Sequence, residues 1–162
     1  MIERYYMDIT IRRAKESDVA AIQEFGSKLL NFERENFDSS LDENWAFSNE
    51  AKAKYLNAIK NRYVTIAEID GQLVGFLIGN IITPTDNDAR QIKQANLQNI
   101  YVNDNVRKTG IGKKLIDDFK HYCKNDGVVR LNVSVLAENK TAIDFYYNNG
   151  FKSRSLSLFQ EL

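Results

Sequence analysis

The sequence has few of the residues on which several classes of functional site depend. Among its 162 residues it contains one cysteine, Cys123, and one histidine, His121. A single cysteine excludes an internal disulfide and a cysteine-ligated zinc site, and it suits a reducing compartment. A single histidine argues against a Ser-His-Asp triad and a histidine-rich metal site. We therefore expect no metal, a packing role for Cys123 and a solvated position for His121.

Long apolar runs and linker-like segments are also missing. The longest apolar stretch, residues 73–82, is interrupted by Asn80 and has about half the length that a membrane-spanning helix needs. One proline and eight glycines leave no flexible linker. The first residues show no basic segment followed by an apolar one, so we expect no signal peptide. These absences predict one domain over residues 1–162, in the cytoplasm and without a membrane partner.

Acidic and basic residues balance, with 22 of each, which argues against a generic nucleic-acid-binding protein. The two signs are nevertheless segregated along the chain. Residues 31–50 hold six acids and one base, whereas residues 107–124 hold six lysines or arginines and two acids. We expect the second segment to suit an anionic ligand. The first segment either attracts a cationic amine or is a solvated loop.

Hydrophobic periodicity predicts a mixed α/β fold in which strands and helices alternate. The dipeptide Asp70-Gly71 separates two β-rich runs and indicates a hairpin. Residues 31–49 show no periodicity, and residues 84–93 are polar and predict a loop. The predicted strands are 7–13, 62–69, 73–82, 97–102, 129–136 and 151 onward. The first predicted helix is capped by Ser17 or Asp18, and the three others cover 51–61, 110–125 and 139–149.

Two glycines, Gly110 and Gly112, stand where the strand 97–102 leads into the helix 110–125. Glycine lets the backbone approach a ligand, and the free amides of a helix N-terminus attract anions. Basic residues around the same point predict a pyrophosphate-binding loop. The pattern is not a dinucleotide fingerprint, since Leu115 replaces the third glycine, nor a P-loop, since Arg107 replaces the first. Two glycines that serve only helix packing are the alternative.

A second motif follows downstream, where Asn139, Ala142 and Tyr146 share one helix face. From the residues alone, Asn139 either caps that helix or binds a ligand amide, and Tyr146 either packs in the core or acts on a ligand. Together the two motifs resemble those of the GNAT superfamily of acetyl-CoA-dependent N-acetyltransferases. The resemblance rests on Arg107-x-x-Gly110-x-Gly112, on Asn139-x-x-Ala142-x-x-x-Tyr146-x-x-x-Gly150-Phe151 and on the opening segment IRRAKESD at 11–18.

This resemblance implies a central, mixed, mostly antiparallel sheet of six to seven strands flanked by about four helices. It implies acetyl-CoA as cosubstrate, with Tyr146 protonating the departing thiolate and Asn139 bonding the pantetheine arm. The amide of Val102 or one near it would polarise the thioester carbonyl. The remaining implied cosubstrate contacts are main-chain groups of Ile100 and Val102 and the backbone amides of Lys108, Thr109, Gly110, Ile111, Gly112 and Lys113, with Arg107 at the start of this loop.

The implied activity is transfer of an acetyl group to a primary amine of a small, cationic molecule, by direct attack in a ternary complex. Protein or peptide acetylation and a non-catalytic acyl-CoA-binding module are the alternatives, and a homodimer is compatible with the sequence. The strand 97–102 carries no carboxylate, so the identity of any general base stays open. We predict the acceptor site in the acidic segment, at Phe32, Glu33, Glu35 and Trp45.

Overall fold

The computed structural model describes residues 8–82 and 91–162. The helices are α1 (Val19–Asn36), α2 (Asn49–Asn61), α3 (Ile111–Asn125) and α4 (Lys140–Asn148). The strands are β1 (Ile9–Arg13), β2 (Tyr63–Ile69), β3 (Gln72–Ile82), β4 (Gln94–Val102) and β5 (Arg130–Val133). Short 3-10 turns cover Glu16–Asp18, Trp45–Phe47 and Asp104–Val106.

The described strands form one sheet in the order β1-β2-β3-β4-β5. The pairs β1–β2, β2–β3 and β3–β4 are antiparallel, and β4–β5 is parallel because α3 carries the chain back between them. The predicted hairpin between β2 and β3 is confirmed. Its turn residues Asp70 and Gly71 have φ values of 51° and 78°, which is the double left-handed conformation that favours Asp-Gly.

Strands β4 and β5 separate part of the way along the sheet. Their pairing ends at Leu97 and Val133, whereas β4 continues to Val102. The last five residues of β4 therefore have β3 on one side and no described strand on the other. A register shift places Asn99 opposite Ile78 and Leu97 opposite Gly79, so that Gln98 forms a β-bulge. The sheet thus opens at the end of β4 that leads toward α3.

Two apolar clusters cover the two faces of the sheet. On one face α1 and α2 contribute Ile22, Phe25 and Tyr55 to a cluster with Phe76 and Tyr101. On the other face Leu115 and Phe119 of α3 recur at helical spacing and pack on Leu77 and Leu97, with Tyr146 of α4 in the same cluster. Tyr122, on the same helix, is 38% exposed, and its ring stacks on that of Tyr63 at 4.1 Å. Cys123 is buried as predicted.

The junction between β1 and α1 is held by a charged cluster around Arg12. Its guanidinium donates two hydrogen bonds to Asp18, at 2.8 and 3.0 Å, and one to Glu68 on β2, at 2.7 Å. The backbone N–H of Lys15 also donates to Asp18, at 2.7 Å. These contacts hold the pKa of the buried Asp18 carboxyl below its usual value. The cluster fixes the segment from which α1 departs.

Several expectations need correction. The described residues form five strands rather than six to seven, because the segment from Phe151 onward, predicted as a strand, pairs with no described strand. Its alternating Leu156 and Leu158 are exposed, so their alternation marks no buried face in this chain. Residues 31–36, which lack apolar periodicity, continue α1 as helix. Met7 and residues 84–90 of the predicted loop lie outside the described residues.

Candidate active site

The loop between β4 and α3 contains left-handed residues and is held by side-chain hydrogen bonds to backbone carbonyls. Lys108 and Gly110 both have left-handed backbones, with φ values of 64° and 89°. The hydroxyl of Thr109 donates to the carbonyl of Val106 at 2.6 Å. Arg107 donates through Nε to the carbonyl of Val102 at 3.0 Å and pairs with Asp104 at 2.7 Å. In this structure Arg107 therefore ties the loop to the end of β4.

The two glycines of this loop have different surroundings. A Cβ on Gly110 would meet no atom within 4 Å, so the space beside the first turn of α3 is open and the free amides there can hold an anion. A Cβ on Gly112 would lie 3.1 Å from the ring of Phe145. Gly112 therefore lets α4 pack against α3. The ligand-approach interpretation fits Gly110, and the helix-packing alternative fits Gly112.

The basic side chains near this N-terminus are not equivalent. Lys113 forms an ion pair with Asp117 one turn further along α3. Lys108 and Lys114 are exposed and have no carboxylate partner among residues 8–82 and 91–162. Their ammonium groups are therefore free to meet an anion held at the start of α3.

Asn139 stands at the N-terminus of α4 and is buried. Its side-chain oxygen accepts the N–H of Ala142 at 3.0 Å, so the capping interpretation is confirmed. The amide nitrogen of the same side chain has no hydrogen-bond acceptor within the described part of the chain. This nitrogen is not among the fully buried unpaired atoms of the described residues, so it is accessible and can donate to a ligand carbonyl.

Tyr146 lies about two turns further along α4, with its ring between two other aromatics. The ring centroids of Phe145 and Phe151 are each 5.4 Å from it. Its hydroxyl makes no hydrogen bond to any described residue. Burial, and to a lesser degree the charge of Glu33, raise the pKa of Tyr146 to about 12. At neutral pH the hydroxyl therefore keeps its proton and can donate it.

A cavity of about 150 Å³ lies on the opposite face of the sheet, between α1, α2 and the middle of β3 and β4. Its aromatic wall is formed by Trp45 and Tyr55, whose rings meet edge to face at 6.2 Å. Glu33 lines it with a half-buried carboxylate. Burial first, and then the charge of Asp38, raise the pKa of Glu33. The cavity also reaches Gln98 and Asn99, at the bulge where β4 leaves β5.

Of the four predicted acceptor residues, the structure brings two to this cavity. Glu33 and Trp45 line it. Phe32 is 38% exposed and packs on Phe37, and Glu35 is exposed, so neither lines the cavity. The reason is that α1 is helical to Asn36, and successive helical residues turn to different faces.

The acidic segment is also less uniform in its charge than the sequence indicates. Glu43 pairs with Arg34 at 2.8 Å. Asp38 and Asp42 accept backbone N–H groups of Ser40 and Asn44. Three acids of the segment are therefore engaged in local hydrogen bonds or an ion pair. Glu33 is the acid that lines the cavity.

Sequence reasoning missed the basic and amide residues of the cavity. Lys54 and Arg62 come from α2 and the residue after it, and Gln98 and Asn99 come from β4. No motif marks them, because their convergence depends on the packing of α2 against β4 and on a β-bulge. The helical spacing of Lys54, Tyr55 and Ala58 on α2 is the only signal that could have drawn attention to this face.

Two further expectations concern absences. Residues 8–82 and 91–162 contain no group of three or more His, Cys, Asp or Glu side chains that could hold a metal ion. Among the same residues no helix has the length and hydropathy needed to cross a membrane.

Comparison of this chain with known proteins and structures identifies its family. The chain is 31% identical over 91 residues to an uncharacterized N-acetyltransferase of Methanocaldococcus jannaschii, which is 56% of this chain and 39% of that protein. It is 25% identical over 153 residues to the spermidine N(1)-acetyltransferase of Thermoplasma acidophilum, covering 90% of this chain and 89% of that protein.

Among solved structures, the PaiA N-acetyltransferase of Thermoplasma acidophilum in complex with coenzyme A has the same fold. It superimposes with a TM-score of 0.76 at 24% identity, over 93% of this chain and 94% of that chain. The model of the acetyltransferase (GNAT) family matches residues 27–151. That span contains both sequence motifs, the opening between β4 and β5 and all the residues that line the cavity except Gly26. The chain belongs to the GNAT acetyltransferase family and is an acetyl-CoA-dependent acyltransferase.

Proposed function

We propose that this protein acetylates the primary amine of a small molecule in the cytoplasm, and that the amine enters as a cation and attacks directly in a ternary complex. One observation carries the proposal. Strand β4 contributes to both sides of the site: Leu97 packs in the cluster that contains Tyr146, and the next two residues, Gln98 and Asn99, line the cavity with Glu33. The charge of Glu33 adds to the effect of burial in raising the pKa of Tyr146.

The cosubstrate side is formed by α3, α4 and the end of β4. The open space at Gly110 and the amides from Lys108 to Lys113 suit a pyrophosphate, with Lys108 and Lys114 as free cations. The free edge of β4 around Ile100 and Val102, together with the amide nitrogen of Asn139, suits the amide groups of a pantetheine arm. When bound there, acetyl-CoA supplies an activated acetyl thioester.

The chain provides groups for two of the proton transfers that the reaction needs. The cationic amine loses one proton before its nitrogen can attack the acetyl carbon and a second one as the amide forms, and the sulfur gains one when the carbon–sulfur bond breaks, so one proton is released to solvent overall. Glu33 is the proposed acceptor of the proton that frees the amine, since burial raises its pKa. Tyr146 is the proposed donor to the sulfur, and the second proton from nitrogen replaces the one that Tyr146 gives. Neither proton transfer needs an enzyme nucleophile, which agrees with the single cysteine and single histidine.

The oxyanion contact is assigned to the free amides of β4 near the bulge. An amide there would stabilise the charge that develops on the carbonyl oxygen, an effect worth roughly 3 kcal/mol in comparable sites. The cavity of about 150 Å³ supports a small acceptor rather than a folded protein, because a cavity of such volume accommodates about one benzene-sized group.

The order of substrate binding tests the proposal. Initial rates of thiol release are measured while acetyl-CoA and a primary amine are both varied. A ternary complex predicts double-reciprocal lines that intersect. Parallel lines, the pattern of a covalent acetyl-enzyme, would overturn the direct-attack mechanism. A synthetic peptide with a free lysine serves as the comparison acceptor, and preferential use of that peptide would favour the peptide alternative.

A further inference from the structure

The acceptor cavity carries charges of both signs, and they are not paired with each other. Glu33 contributes a carboxylate, and Lys54 and Arg62 contribute two cations. No ion pair joins Glu33 to either cation, and neither cation has a carboxylate partner within residues 8–82 and 91–162. A diamine or polyamine would satisfy Glu33 but would meet two like charges. The lining therefore selects against an acceptor that is cationic throughout.

Both cations are held in place by contacts that leave donors free. One Nη atom of Arg62 donates to the side-chain oxygen of Gln98 at 2.8 Å, so the remaining N–H groups of the guanidinium stay available. The ammonium of Lys54 lies 5.0 Å from the ring centroid of Trp45, a cation–π contact that leaves its N–H groups unused. A guanidinium fork fits a planar carboxylate, and Lys54 adds a second cation to the lining of the same cavity.

The position of the anionic group follows from the position of the reacting amine. Glu33 is the carboxylate among the residues that line the cavity, so an ammonium group of the acceptor pairs with Glu33 and not with Lys54 or Arg62. Glu33 comes from α1, whereas both cations come from α2 and the residue after it, so the amine and the anionic group occupy different parts of the cavity. A ligand that spans both ends within about 150 Å³ is small, with a short chain between its two charged groups.

We propose that the acceptor is an aminocarboxylate, with its primary amine at Glu33 and its carboxylate at Arg62 and Lys54. This inference rests on the proposed acetylation of a small amine and adds the second recognition group. It gives the protein a substrate class different from that of the spermidine acetyltransferase with which it shares 25% identity. A carboxylate fits the cavity more readily than a bulkier phosphate, and the experiment separates the two.

The test uses acceptors that differ only in the carboxylate. The kcat/KM for thiol release is compared between lysine and cadaverine, ornithine and putrescine, and β-alanine and ethylamine. We expect each carboxylate-bearing member to be preferred at least about tenfold, which corresponds to about 1.4 kcal/mol. Phosphoethanolamine and β-alanine separate a phosphate from a carboxylate. Equal or better use of the decarboxylated amines, or of spermidine, would overturn the proposal.

Two variants connect the preference to the residues. Arg62→Met should reduce kcat/KM for the aminocarboxylate at least about tenfold more than for its decarboxylated partner, mainly through KM. Arg62→Glu should reverse the preference toward the diamine. Lys52→Met, on the exposed surface of α2, is the matched control and should leave the ratio at its wild-type value. An Arg62→Met variant that lowers both activities equally, with unchanged thermal unfolding, would contradict the assignment.

A binding measurement keeps this inference separate from the proposed function. Titration calorimetry of the CoA-bound protein with each matched pair reports the carboxylate preference even if no amine is acetylated. Absence of acetylation with retained preference for the carboxylate would reject the proposed reaction and keep the recognition site. Acetylation of amines without any carboxylate preference would keep the reaction and reject the aminocarboxylate.

Discussion

Burial raises the pKa of the Tyr146 hydroxyl to about 12, and the carboxylate of Glu33 contributes to that rise from the other side of the sheet. The two residues belong to α4 and α1, elements that are far apart in the chain. Strand β4 lies next to both residues, since Leu97 packs in the cluster that contains Tyr146 and Gln98 and Asn99 line the cavity with Glu33. This relationship supports the proposal that one proton donor and one proton acceptor serve a single site.

Replacing Tyr146 with phenylalanine should lower kcat by roughly 10²- to 10⁴-fold, the usual contribution of a general acid. The affinity for CoA should change little, because the hydroxyl is proposed to act on the thiolate, which forms only late in the reaction. Rapid-quench measurement of acetyl transfer and calorimetry of CoA binding check the two parts. Tyr147→Phe is the matched control, since Tyr147 is exposed and bonds to Ser153. Wild-type turnover in Tyr146→Phe would return Tyr146 to a packing role.

The two glycines at the start of α3 should respond differently to alanine. Gly110→Ala places a Cβ in the open space of the loop at a φ of 89°, so CoA affinity should fall strongly. Gly112→Ala brings a Cβ against Phe145, so the free energy of unfolding should fall by roughly 1–3 kcal/mol.

Two further variants control for strain and for packing in this glycine experiment. Gly127→Ala introduces a similar positive φ, 73°, with no atom within 4 Å, away from the start of α3, and should cost stability alone. Combining Gly112→Ala with Phe145→Leu should restore part of the lost stability. If Gly110→Ala binds CoA as tightly as Gly127→Ala does, the pyrophosphate assignment is wrong.

Glu33→Gln should stabilise the fold at neutral pH. A carboxyl with a raised pKa in the folded state binds protons more strongly when folded, so the free energy of unfolding decreases as pH rises from the unfolded pKa through the folded one. Glutamine has no such titration. Thermal unfolding should therefore occur at higher temperature in the variant than in the wild type at pH 8, and the difference should narrow near pH ~4. Glu35→Gln, at an exposed position of the same helix, is the control. A variant less stable than the wild type at pH 8 would show that the Glu33 carboxylate has a stabilising partner instead.

The charged cluster at the start of α1 should give the opposite pH dependence. The pKa of Asp18 is held below its usual value by Arg12, so its contribution to stability is present above the unfolded pKa and is lost as pH falls through the lower folded one. Asp18→Asn should lower the free energy of unfolding by about 1–3 kcal/mol near pH 7, the range for hydrogen bonds to charged groups. Urea unfolding at pH 7 and at acid pH measures the effect, with exposed Glu16→Gln as control. Equal losses at both pH values would mean that the carboxylate charge does not matter.

The sequence predicts those elements of the fold that depend on local interactions, and it fails for those that depend on distant partners. Apolar periodicity and the Asp70-Gly71 turn are local features, and they predicted α3 and the β2–β3 hairpin to within about one residue. The segment from Phe151 onward has a strand-like alternation, but a strand also needs a partner edge, which no local pattern supplies. The extension of α1 to Asn36 has no apolar stripe, so periodicity did not predict it. Intrahelical bonds and the neighbouring Trp45–Phe47 turn hold these residues in the helix instead.

The site was predictable to a similar degree. Gly110, Asn139 and Tyr146 could be identified because their spacing matches a known family motif, and the structure shows surroundings that suit those roles. Glu33 was identified as part of an acidic segment, without a means of distinguishing it from Glu35. Lys54 and Arg62 could not be found, because a cavity assembled from two helices and a bulged strand depends on tertiary packing.

The central claim is that Glu33 and Tyr146 serve one transfer of acetyl from thioester to amine, and one measurement tests it most directly. Acetyl-labelled acetyl-CoA is incubated with the aminocarboxylate panel and with the decarboxylated amines, and the free thiol and the labelled amide are quantified together. The account predicts amine-dependent thiol release with equimolar amide, and loss of at least about 10²-fold in both products for Glu33→Gln and for Tyr146→Phe. Thiol release that is independent of every amine, or undiminished amide formation in both variants, would contradict it.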